Sequence, residues 1–278
     1  MTARAHHDLR VEGLSLGYDG ARVVDSLDLA IADASITVIV GPNASGKSTL
    51  LRGMARLLKP DAGRVVLDGR DIRSLDTKVL ARWLGLLPQQ PTAPEGITVG
   101  DLVGRGRFPH QGWLRQWSAA DDAAVALALA ETGTADLVDR RVEELSGGQR
   151  QRVWIAMVLA QEPDILLLDE PTTFLDVRHQ VEVLDLLHDL NRARGTTTVM
   201  VLHDLNLAAR YADDIVVMSR GSVIAHGPPA AVLTAEIVAA AFGMECIVLP
   251  DPVTSSPMVV PFGRFHRPGG VEIPSDIR

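Results

Sequence analysis

The stretch at residues 36–58, ITVIVGPNASGKSTLLRGMARLL, limits the possible fold more than any other part of the chain. A β-branched apolar run breaks at Gly41 and is followed by a helical pattern, so the sequence predicts a strand, a loop and a helix in that order. The loop matches G-x-x-x-x-G-K-[ST] from Gly41 to Ser48, and the flanking strand and helix are the context that this motif requires. The sequence therefore predicts a loop that binds phosphate.

Phosphate binding follows from the expected geometry of this loop. Glycines let successive backbone N–H groups point into one cup, and the following helix adds the positive end of its dipole. Lys47 is expected to reach the β- and γ-phosphates, and Ser48 is expected to ligate Mg²⁺ through its hydroxyl. The alternative is a structural connection that carries these residue types by coincidence. The residues assigned to nucleotide binding are Gly41, Pro42, Asn43, Ala44, Ser45, Gly46, Lys47, Ser48 and Thr49.

The rest of the chain predicts an α/β fold. Strand and helix patterns alternate around buried apolar runs, which indicates a doubly wound core. Short strands joined by turns at residues 9–32 predict a small antiparallel sheet, while residues 98–160 are mainly helical. We expect a single domain at residues 9–249, followed by a short tail at 250–278 whose last twelve residues are loose. Its nucleotide-binding core comprises residues 9–90 and 162–249, and its helical subdomain comprises residues 91–161.

Composition and charge exclude several classes of protein. The 278 residues carry a formal net charge of -8 at pH 7, which argues against a nucleic-acid-binding protein that works by bulk electrostatics. Cys246 is the single cysteine, so an intramolecular disulfide is impossible and a reducing cytoplasm is favoured. Neither an apolar leader nor a run of 18 apolar residues is present, so we expect any membrane role to come through a partner.

Two carboxylates follow an apolar strand pattern at residues 165–168. We expect Asp169 to hold Mg²⁺ directly or through water, and Glu170 to polarise an attacking water. Carboxylates at strand ends also serve as helix caps. The phosphate loop upstream favours the catalytic interpretation, because a Mg²⁺-nucleotide site needs such a second half.

The segment LSGGQRQR at residues 145–152 predicts a second helix N-terminus that can receive an anion. Ser146 is the expected N-cap, and the glycines after it open a helix with an apolar face. The Ser146 hydroxyl and the Gly148 N–H are the expected donors. Two phosphate-facing helix ends and one γ-phosphate suggest that two subunits close on a shared nucleotide.

Four motifs, GPNASGKST, LSGGQRQR, ILLLDEPTTFLD and VLHDLN, resemble in order and spacing the ATPase subunits of ATP-binding cassette (ABC) transporters. The resemblance covers residues 9–249. It implies a P-loop NTPase core of RecA type with an N-terminal antiparallel β subdomain and an inserted α-helical subdomain. It also implies an ATPase that uses ATP and Mg²⁺ as a homodimer, with each nucleotide sandwiched between two copies.

The resemblance implies individual roles as well. Tyr18 matches the aromatic residue that stacks on adenine, although a tyrosine in a turn is more often packed or simply exposed. Gln89 matches the glutamine that touches Mg²⁺ or water and reports to the membrane partner. Glu170 matches the general base, and His203 matches the histidine that contacts the γ-phosphate. Asp176 matches the loop that communicates across the dimer.

In the implied dimer, the nucleotide held by Lys47 of one copy faces the LSGGQ segment of the other. The residues of that segment assigned to the nucleotide are Ser146, Gly147, Gly148 and Gln149. Two positions depart from common patterns of the family. Ala44 stands where many relatives have glycine, which restricts the loop backbone. Phe174 is bulkier than the small residue found in other branches, which leaves the packing across the dimer open.

A narrower similarity points to importers of iron-siderophore complexes, whose relatives carry haem and cobalamin. It is carried by LLPQQPTAPEGITVGDLVGRGRFPHQGW, DEPTTFLDVRHQVEVLDLLHDLN and VLHDLNLAARYADDIVVMSRGSVIAHGPP. It implies integral-membrane permease subunits as partners, a substrate-binding lipoprotein as an indirect partner, and a position on the cytoplasmic face of the membrane. Haem or cobalamin as cargo stays open.

Two rival functions remain at this stage. A soluble, non-transport cassette ATPase of the repair or translation type would usually carry two cassettes, coiled-coil inserts or basic arms, and the sequence shows none of these. A regulator that binds ATP without turnover would not need Glu170 and His203. The sequence therefore favours the transport ATPase over both.

Overall fold

The computed structural model describes residues 6–112, 117–263 and 265. Its strands are β1 (Leu9–Tyr18), β2 (Ala21–Ile31), β3 (Ile36–Val40), β4 (Ala62–Leu67), β5 (Arg70–Asp71), β6 (Leu84–Leu87), β7 (Ile165–Asp169), β8 (Thr197–Val201), β9 (Asp214–Ser219), β10 (Ser222–Gly227), β11 (Cys246–Pro250) and β12 (Pro257–Pro261). Its α-helices are α1 (Lys47–Met54), α2 (Thr77–Trp83), α3 (Val99–Gly104), α4 (Ala119–Glu131), α5 (Gly147–Ala160), α6 (Val177–Arg194), α7 (Leu205–Tyr211), α8 (Pro229–Val232) and α9 (Ala235–Phe242). Short 3₁₀ turns lie at Ile72–Ser74, Arg105–His110, Ala135–Leu137 and Val142–Glu144.

The central sheet has six strands in the order β10-β9-β3-β8-β7-β6. All neighbours in it are parallel except β10, which pairs antiparallel with β9. Every residue of β3, β7 and β8 is buried, as expected for parallel strands covered on both faces. Since β8 lies between β3 and β7, the segments that follow these three strands meet at one edge of the sheet.

A second sheet confirms the antiparallel start that the turn pattern predicts. It has the order β2-β1-β4-β5, and each neighbouring pair is antiparallel. Leu14 and Leu16 of β1 pack in one hydrophobic cluster with Leu50 and Leu51 of α1, all of them fully buried. The helix after the phosphate loop is therefore held between the two sheets.

The stretch between β6 and β7 is helical, as its pattern predicts. Helices α3, α4 and α5 pack on one another. Buried Arg107 links the start of α4 to the end of α5, because its guanidinium donates to the Asp121 carboxylate and to the Ala160 carbonyl. The proposed limits of the helical subdomain, at residues 91 and 161, stay predictions.

Some helix limits differ from the sequence pattern. The apolar pattern favours a helix to Leu58, but α1 ends at Met54 because Arg56 has φ of 58°. The Arg56 guanidinium donates to the carbonyls of Ile72 and Leu75, which fixes the chain in this turn. The helical pattern near residues 230–242 forms two helices, because Thr234 caps the start of α9 by accepting from the Ile237 N–H.

The chain remains ordered past the predicted start of the tail at residue 250. β11 and β12 form a hairpin that packs on α7. Buried Asp251 lies in the connection between them, and its carboxylate accepts a hydrogen bond from Arg210 of α7. The predicted loose segment of twelve residues lies outside the described residues. Among the described residues, no helix is both long and apolar enough to cross a bilayer.

Candidate active site

The loop between β3 and α1 has the backbone shape that its glycines allow. Gly41 and Gly46 have φ of 156° and 99°, values that side chains disfavour. A Cβ added to Gly41 would lie 2.2 Å from the Met218 carbonyl oxygen and 2.8 Å from the Ser45 Oγ. Glycine is therefore required at Gly41 on both conformational and steric grounds.

Ala44, the departure from the family pattern, has a left-handed backbone. Its φ is 63°, a region in which residues other than glycine are uncommon. The resemblance to the family predicts a restricted loop backbone at this position, and the left-handed φ of Ala44 is that restriction. The side chain contributes to the wall of the cavity described below.

Lys47 is almost completely buried and curls back over the loop. Its Nζ donates to the Gly41 carbonyl at 2.9 Å and to the Pro42 carbonyl at 3.0 Å. Burial lowers the pKa of Lys47, while the charges of Glu170 and Asp169 oppose this shift. The ammonium group therefore rests on neutral carbonyls beside two carboxylates, in a position to exchange those contacts for a stronger anion.

Ser48 and Asp169 join the start of α1 to the end of β7. The Ser48 hydroxyl donates to Oδ1 of Asp169 at 2.7 Å. Burial raises the pKa of Asp169, against the lowering effect of this hydrogen bond. A hydroxyl and a carboxylate at this distance are oxygen donors of the type that Mg²⁺ prefers.

Glu170 is the centre of a polar cluster. Its Oε2 accepts hydrogen bonds from Gln89 Nε2 at 2.6 Å and from Thr173 Oγ1 at 2.9 Å. Its Oε1 lies 2.7 Å from His203 Nε2. Burial acts to raise the pKa of Glu170, but the three hydrogen bonds outweigh it, so the pKa lies below its usual value. The carboxylate is thus ionised and oriented near neutral pH.

A cavity of about 650 Å³ lies at this edge of the central sheet, where the segments after β3, β7 and β8 meet. It unites most of the residues that the sequence assigns to nucleotide and catalysis. Its wall is formed by Val23, Asn43, Ala44, Ser45, Gly46, Lys47, Ser48, Thr49, Gln89, Glu170 and His203.

The cavity has features that suit a phosphate group. Among the described residues, the buried Oγ of Ser45 has no hydrogen-bond partner, although it lies beside the loop that carries Lys47. A buried hydroxyl without a partner is costly unless a ligand or water satisfies it. Backbone N–H groups of such a loop, a lysine and the start of α1 are the donors that bind phosphate in proteins.

Tyr18, Asp176 and the four assigned residues of the LSGGQ segment lie outside this cavity wall. Tyr18, at the end of β1, is half-exposed and accepts a hydrogen bond from Arg52 at 3.3 Å; it is not part of the cavity wall formed by the described residues. Ser146 caps α5 by accepting from the Gln149 N–H, while its own N–H donates to the Gln149 side chain. Asp176 caps α6 through the His179 N–H.

The LSGGQ segment and the Asp176 loop lie side by side. A Cβ added to Gly148 would lie 2.6 Å from the His179 ring, and one added to Gly147 would lie 4.0 Å from the Phe174 carbonyl oxygen. The His179 Nδ1 lies 2.8 Å from the Asp176 carboxylate. The LSGGQ segment, which the sequence assigns to a partner copy, and the Asp176 loop therefore form one continuous surface, separate from the cavity wall. The roles of all these residues stay predictions.

Two residues near the site were not expected from sequence. Val23 of β2 lines the cavity, and its apolar character gives no signal of this position. Thr173 donates to Glu170, and its backbone N–H also donates to the Glu170 carbonyl at 3.2 Å. A hydroxyl three residues after a carboxylate is a signal for such a turn, but it is common at helix starts as well.

Comparison with known proteins agrees with this geometry. The sequence profile of the ABC transporter family matches residues 24–173. The achromobactin transport ATP-binding protein of Dickeya dadantii is 53% identical, over 90% of this chain and 93% of that protein. The ferric enterobactin transport ATP-binding protein of Escherichia coli is 50% identical, over 92% and 94% respectively. A cobalamin import ATP-binding protein of Halobacterium salinarum is 42% identical, over 91% of this chain and 63% of that protein.

Solved structures agree as well. An inward-facing ABC transporter of metal-chelate type matches with a TM-score of 0.81 and 27% identity, over 93% of this chain and 99% of that one. A dimeric bacterial ABC transporter cassette matches with a TM-score of 0.70 and 28% identity, over 79% and 98%. These matches confirm the expected α/β fold of an ABC ATPase with its P-loop core. The chain belongs to the ABC transporter family, among its ATP-binding subunits.

Proposed function

We propose that this chain hydrolyses ATP to power the import of ferric siderophores across the cytoplasmic membrane. The observation that carries the ATPase part is the Glu170 carboxylate, held between Gln89, Thr173 and His203 at the wall of a phosphate-binding cavity. Two relatives with 50% identity or more are named for achromobactin and ferric enterobactin transport, which supports the cargo class.

The proposed mechanism uses Glu170 as the general base. The oxygen of a water forms a bond to the γ-phosphorus as the bond to the bridging oxygen breaks, and ADP leaves with the electron pair. Glu170 takes the proton of the water. Lys47 moves from the Gly41 and Pro42 carbonyls to the phosphates and offsets their charge. His203 lies at Oε1 of Glu170, whereas Gln89 bonds Oε2. In this mechanism His203 contacts the γ-phosphate.

Residues for Mg²⁺ are present at the same edge of the sheet. Ser48, Asp169 and Gln89 would hold the ion, since their hydroxyl, carboxylate and amide oxygens suit a hard cation. When bound, Mg²⁺ neutralises charge on the β- and γ-phosphates. The hydrogen bond between Ser48 and Asp169 already places two of these side chains together.

We propose that two copies of the chain close on two ATP molecules. The LSGGQ segment and the Asp176 loop form one surface outside the cavity wall, so a second copy is needed to bring that surface to the nucleotide. The dimeric cassette that this fold matches supports the arrangement. ATP binding then closes the dimer, and hydrolysis followed by release opens it.

The proposal includes a permease partner and a place on the cytoplasmic face of the membrane. The Gln89 segment and the helical subdomain at residues 91–161 would receive a helix of the permease, and the core at 9–90 and 162–249 would bind the nucleotide. A substrate-binding lipoprotein would act through the permease. Magnesium, these partners and this division of the chain are parts of the same proposal.

Import of cobalamin is the second candidate, because a cobalamin import protein is also similar, at the lower identity of 42%. A haem importer and a soluble cassette ATPase are weaker alternatives, since neither has a comparable observation in its favour.

The experiment is transport by the full complex in proteoliposomes. The chain is reconstituted with candidate permeases from its own source, and ATP-dependent uptake of ferric enterobactin, haem and cobalamin is measured in parallel. Of the three compounds, we expect only the ferric siderophore to be taken up. Lys47→Ala should abolish this uptake. Uptake of cobalamin or haem instead would overturn the cargo, and association with no permease would overturn the transport role.

A further inference from the structure

Thr173 contacts the general base from the side opposite the nucleotide cavity. The reaction cavity has Glu170, Gln89 and His203 in its wall, and Thr173 does not belong to that wall. A second cavity of about 130 Å³ lies behind it, and its wall contains Thr173 together with Glu170 and His203. Glu170 therefore forms part of the partition between the two cavities.

The two carboxylate oxygens of Glu170 have different partners. Oε2 accepts from Thr173 Oγ1 at 2.9 Å and from Gln89 Nε2 at 2.6 Å, whereas the described contact of Oε1 is with His203 Nε2 at 2.7 Å. Two donors on one oxygen fix the rotation of the carboxylate plane. Oε1 stays on the side of His203, and both His203 and Gln89 line the reaction cavity.

The backbone makes this support necessary. Glu170 has φ of 55°, a left-handed conformation that costs energy for a residue with a side chain and persists only when its surroundings hold it. The Thr173 N–H donates to the Glu170 carbonyl at 3.2 Å. Thr173 thus bonds both the main chain and the side chain of the same residue, and closes a tight turn around it.

We propose that Thr173 is a positioning residue for ATP hydrolysis, whose hydroxyl holds Oε2 of Glu170 and so fixes the orientation of the carboxylate at the reaction cavity. The proposal rests on the proposed ATPase function and adds a residue to it. Because Thr173 lies outside the reaction cavity, its loss acts on the chemical step and leaves ATP binding unchanged.

Thr173→Val removes the hydroxyl with little change in shape, and Thr173→Ser restores it. Steady-state phosphate release is measured with the purified full chain across ATP concentrations, together with binding of a fluorescent ATP analogue and thermal unfolding. We expect Thr173→Val to lower kcat about tenfold or more, as for one lost hydrogen bond to a charged group. The KM for ATP, the analogue affinity and the unfolding temperature stay near those of the wild type, and Thr173→Ser recovers most of kcat.

Thr172→Val is the matched control, because it makes the same chemical change one residue earlier. We expect it to keep the wild-type kcat. In the Glu170→Gln background, adding Thr173→Val should change the residual rate by less than about twofold, because the two residues act as one unit.

The proposal is overturned if Thr173→Val keeps the wild-type kcat, if Thr173→Ser is as slow as Thr173→Val, or if Thr172→Val is equally slow. A fall in analogue binding or in unfolding temperature that accounts for the lost rate would also overturn it, since the role would then be structural. Failure of the ATPase function itself is distinct: the wild type would then release no phosphate.

Discussion

The Ser48 hydroxyl donates to Oδ1 of Asp169 at 2.7 Å, which links the first turn of α1 to the end of β7. The two residues lie 121 positions apart in the chain, and the strand order β3-β8-β7 is what brings them together. Their contact marks the place at which the phosphate loop and the two carboxylates at the end of β7 form a single site.

Ser48→Ala should raise the Mg²⁺ concentration needed for half-maximal ATP hydrolysis by roughly tenfold or more, because it removes one expected oxygen ligand. Chelation by EDTA should stop hydrolysis in the wild type, and addition of Mg²⁺ should restore it. Mg²⁺ titrations of phosphate release provide the measurement. Ser74→Ala, on a 3₁₀ turn far from the cavity wall, is the control. An unchanged Mg²⁺ requirement in Ser48→Ala would contradict the assignment.

Ala44 has a left-handed backbone at φ of 63°. The effect of a substitution on stability should therefore depend on how well the new residue tolerates this conformation, rather than on its size. Ala44→Gly should leave the free energy of unfolding unchanged or raise it by up to about 1 kcal/mol, because relief of strain offsets the extra freedom of the unfolded chain. Ala44→Val should lower stability and weaken ATP binding, since a β-branched residue is disfavoured there. Urea unfolding checks both.

Ala239 offers the opposite control, because it is exposed within α9. Ala239→Gly should cost about 1 kcal/mol, the usual penalty in a helix. If glycine were as destabilising at Ala44 as at Ala239, the left-handed backbone at Ala44 would be wrong.

Asp121 should make the stability of the helical stretch depend on pH, with stability lost in acid. Hydrogen bonds from Ser118 and Arg107 lower the pKa of Asp121 to about 2, from an ordinary value of 3.8. The unfolded chain therefore takes up this proton first as the pH falls. The contribution to stability is complete above about pH 4 and disappears as the pH falls toward about 2.

Asp121→Asn should lower the free energy of unfolding at pH 7 by about 2 kcal/mol, because buried Arg107 then keeps only the Glu162 carboxylate as an ionic partner. The difference from the wild type should shrink between about pH 4 and pH 2, as urea unfolding at a series of pH values can show. Asp25→Asn is the control: Asp25 pairs with Arg22 at an exposed site, so its loss should cost less than about 0.5 kcal/mol. A constant difference for Asp121→Asn would contradict the pKa shift.

Phe174 is 86% exposed beside the LSGGQ segment, so its role should appear only in the dimer. Phe174→Ala should weaken the ATP-dependent dimer by about tenfold or more, as for a buried aromatic anchor of an interface. The unfolding temperature of the monomer should not change. Analytical ultracentrifugation with ATP measures the first effect. Phe108→Ala, at another exposed phenylalanine, should leave the dimer intact, and an equal loss in both variants would contradict the assigned surface.

The sequence predicts the fold class and the strand and helix that flank the phosphate loop, because these depend on local periodicity and on glycine positions. The antiparallel start follows from turn residues in the same way. The end of α1 was not predictable, since Arg56 terminates it through contacts with carbonyls that lie far along the chain.

Some residues of the candidate site could likewise be predicted from sequence, and others could not. Motif residues of the loop and the carboxylates are recognisable from sequence, whereas Val23 enters the cavity wall only because the two sheets pack against each other. The bond from Thr173 to Glu170 depends on the left-handed backbone at Glu170, which no residue type at that position signals. Contacts between elements distant in sequence thus account for what the motifs could not provide.

Glu170→Gln tests whether Glu170 is the general base of a dimeric ATPase, because it removes the carboxylate and keeps the size of the side chain. Phosphate release and size-exclusion chromatography are measured together on the full chain with Mg²⁺ and ATP. We expect hydrolysis to fall by at least about a hundredfold, with ATP retained in a dimer that dissociates when ATP is removed. An ATP-insensitive monomer, or turnover near that of the wild type, would contradict the account.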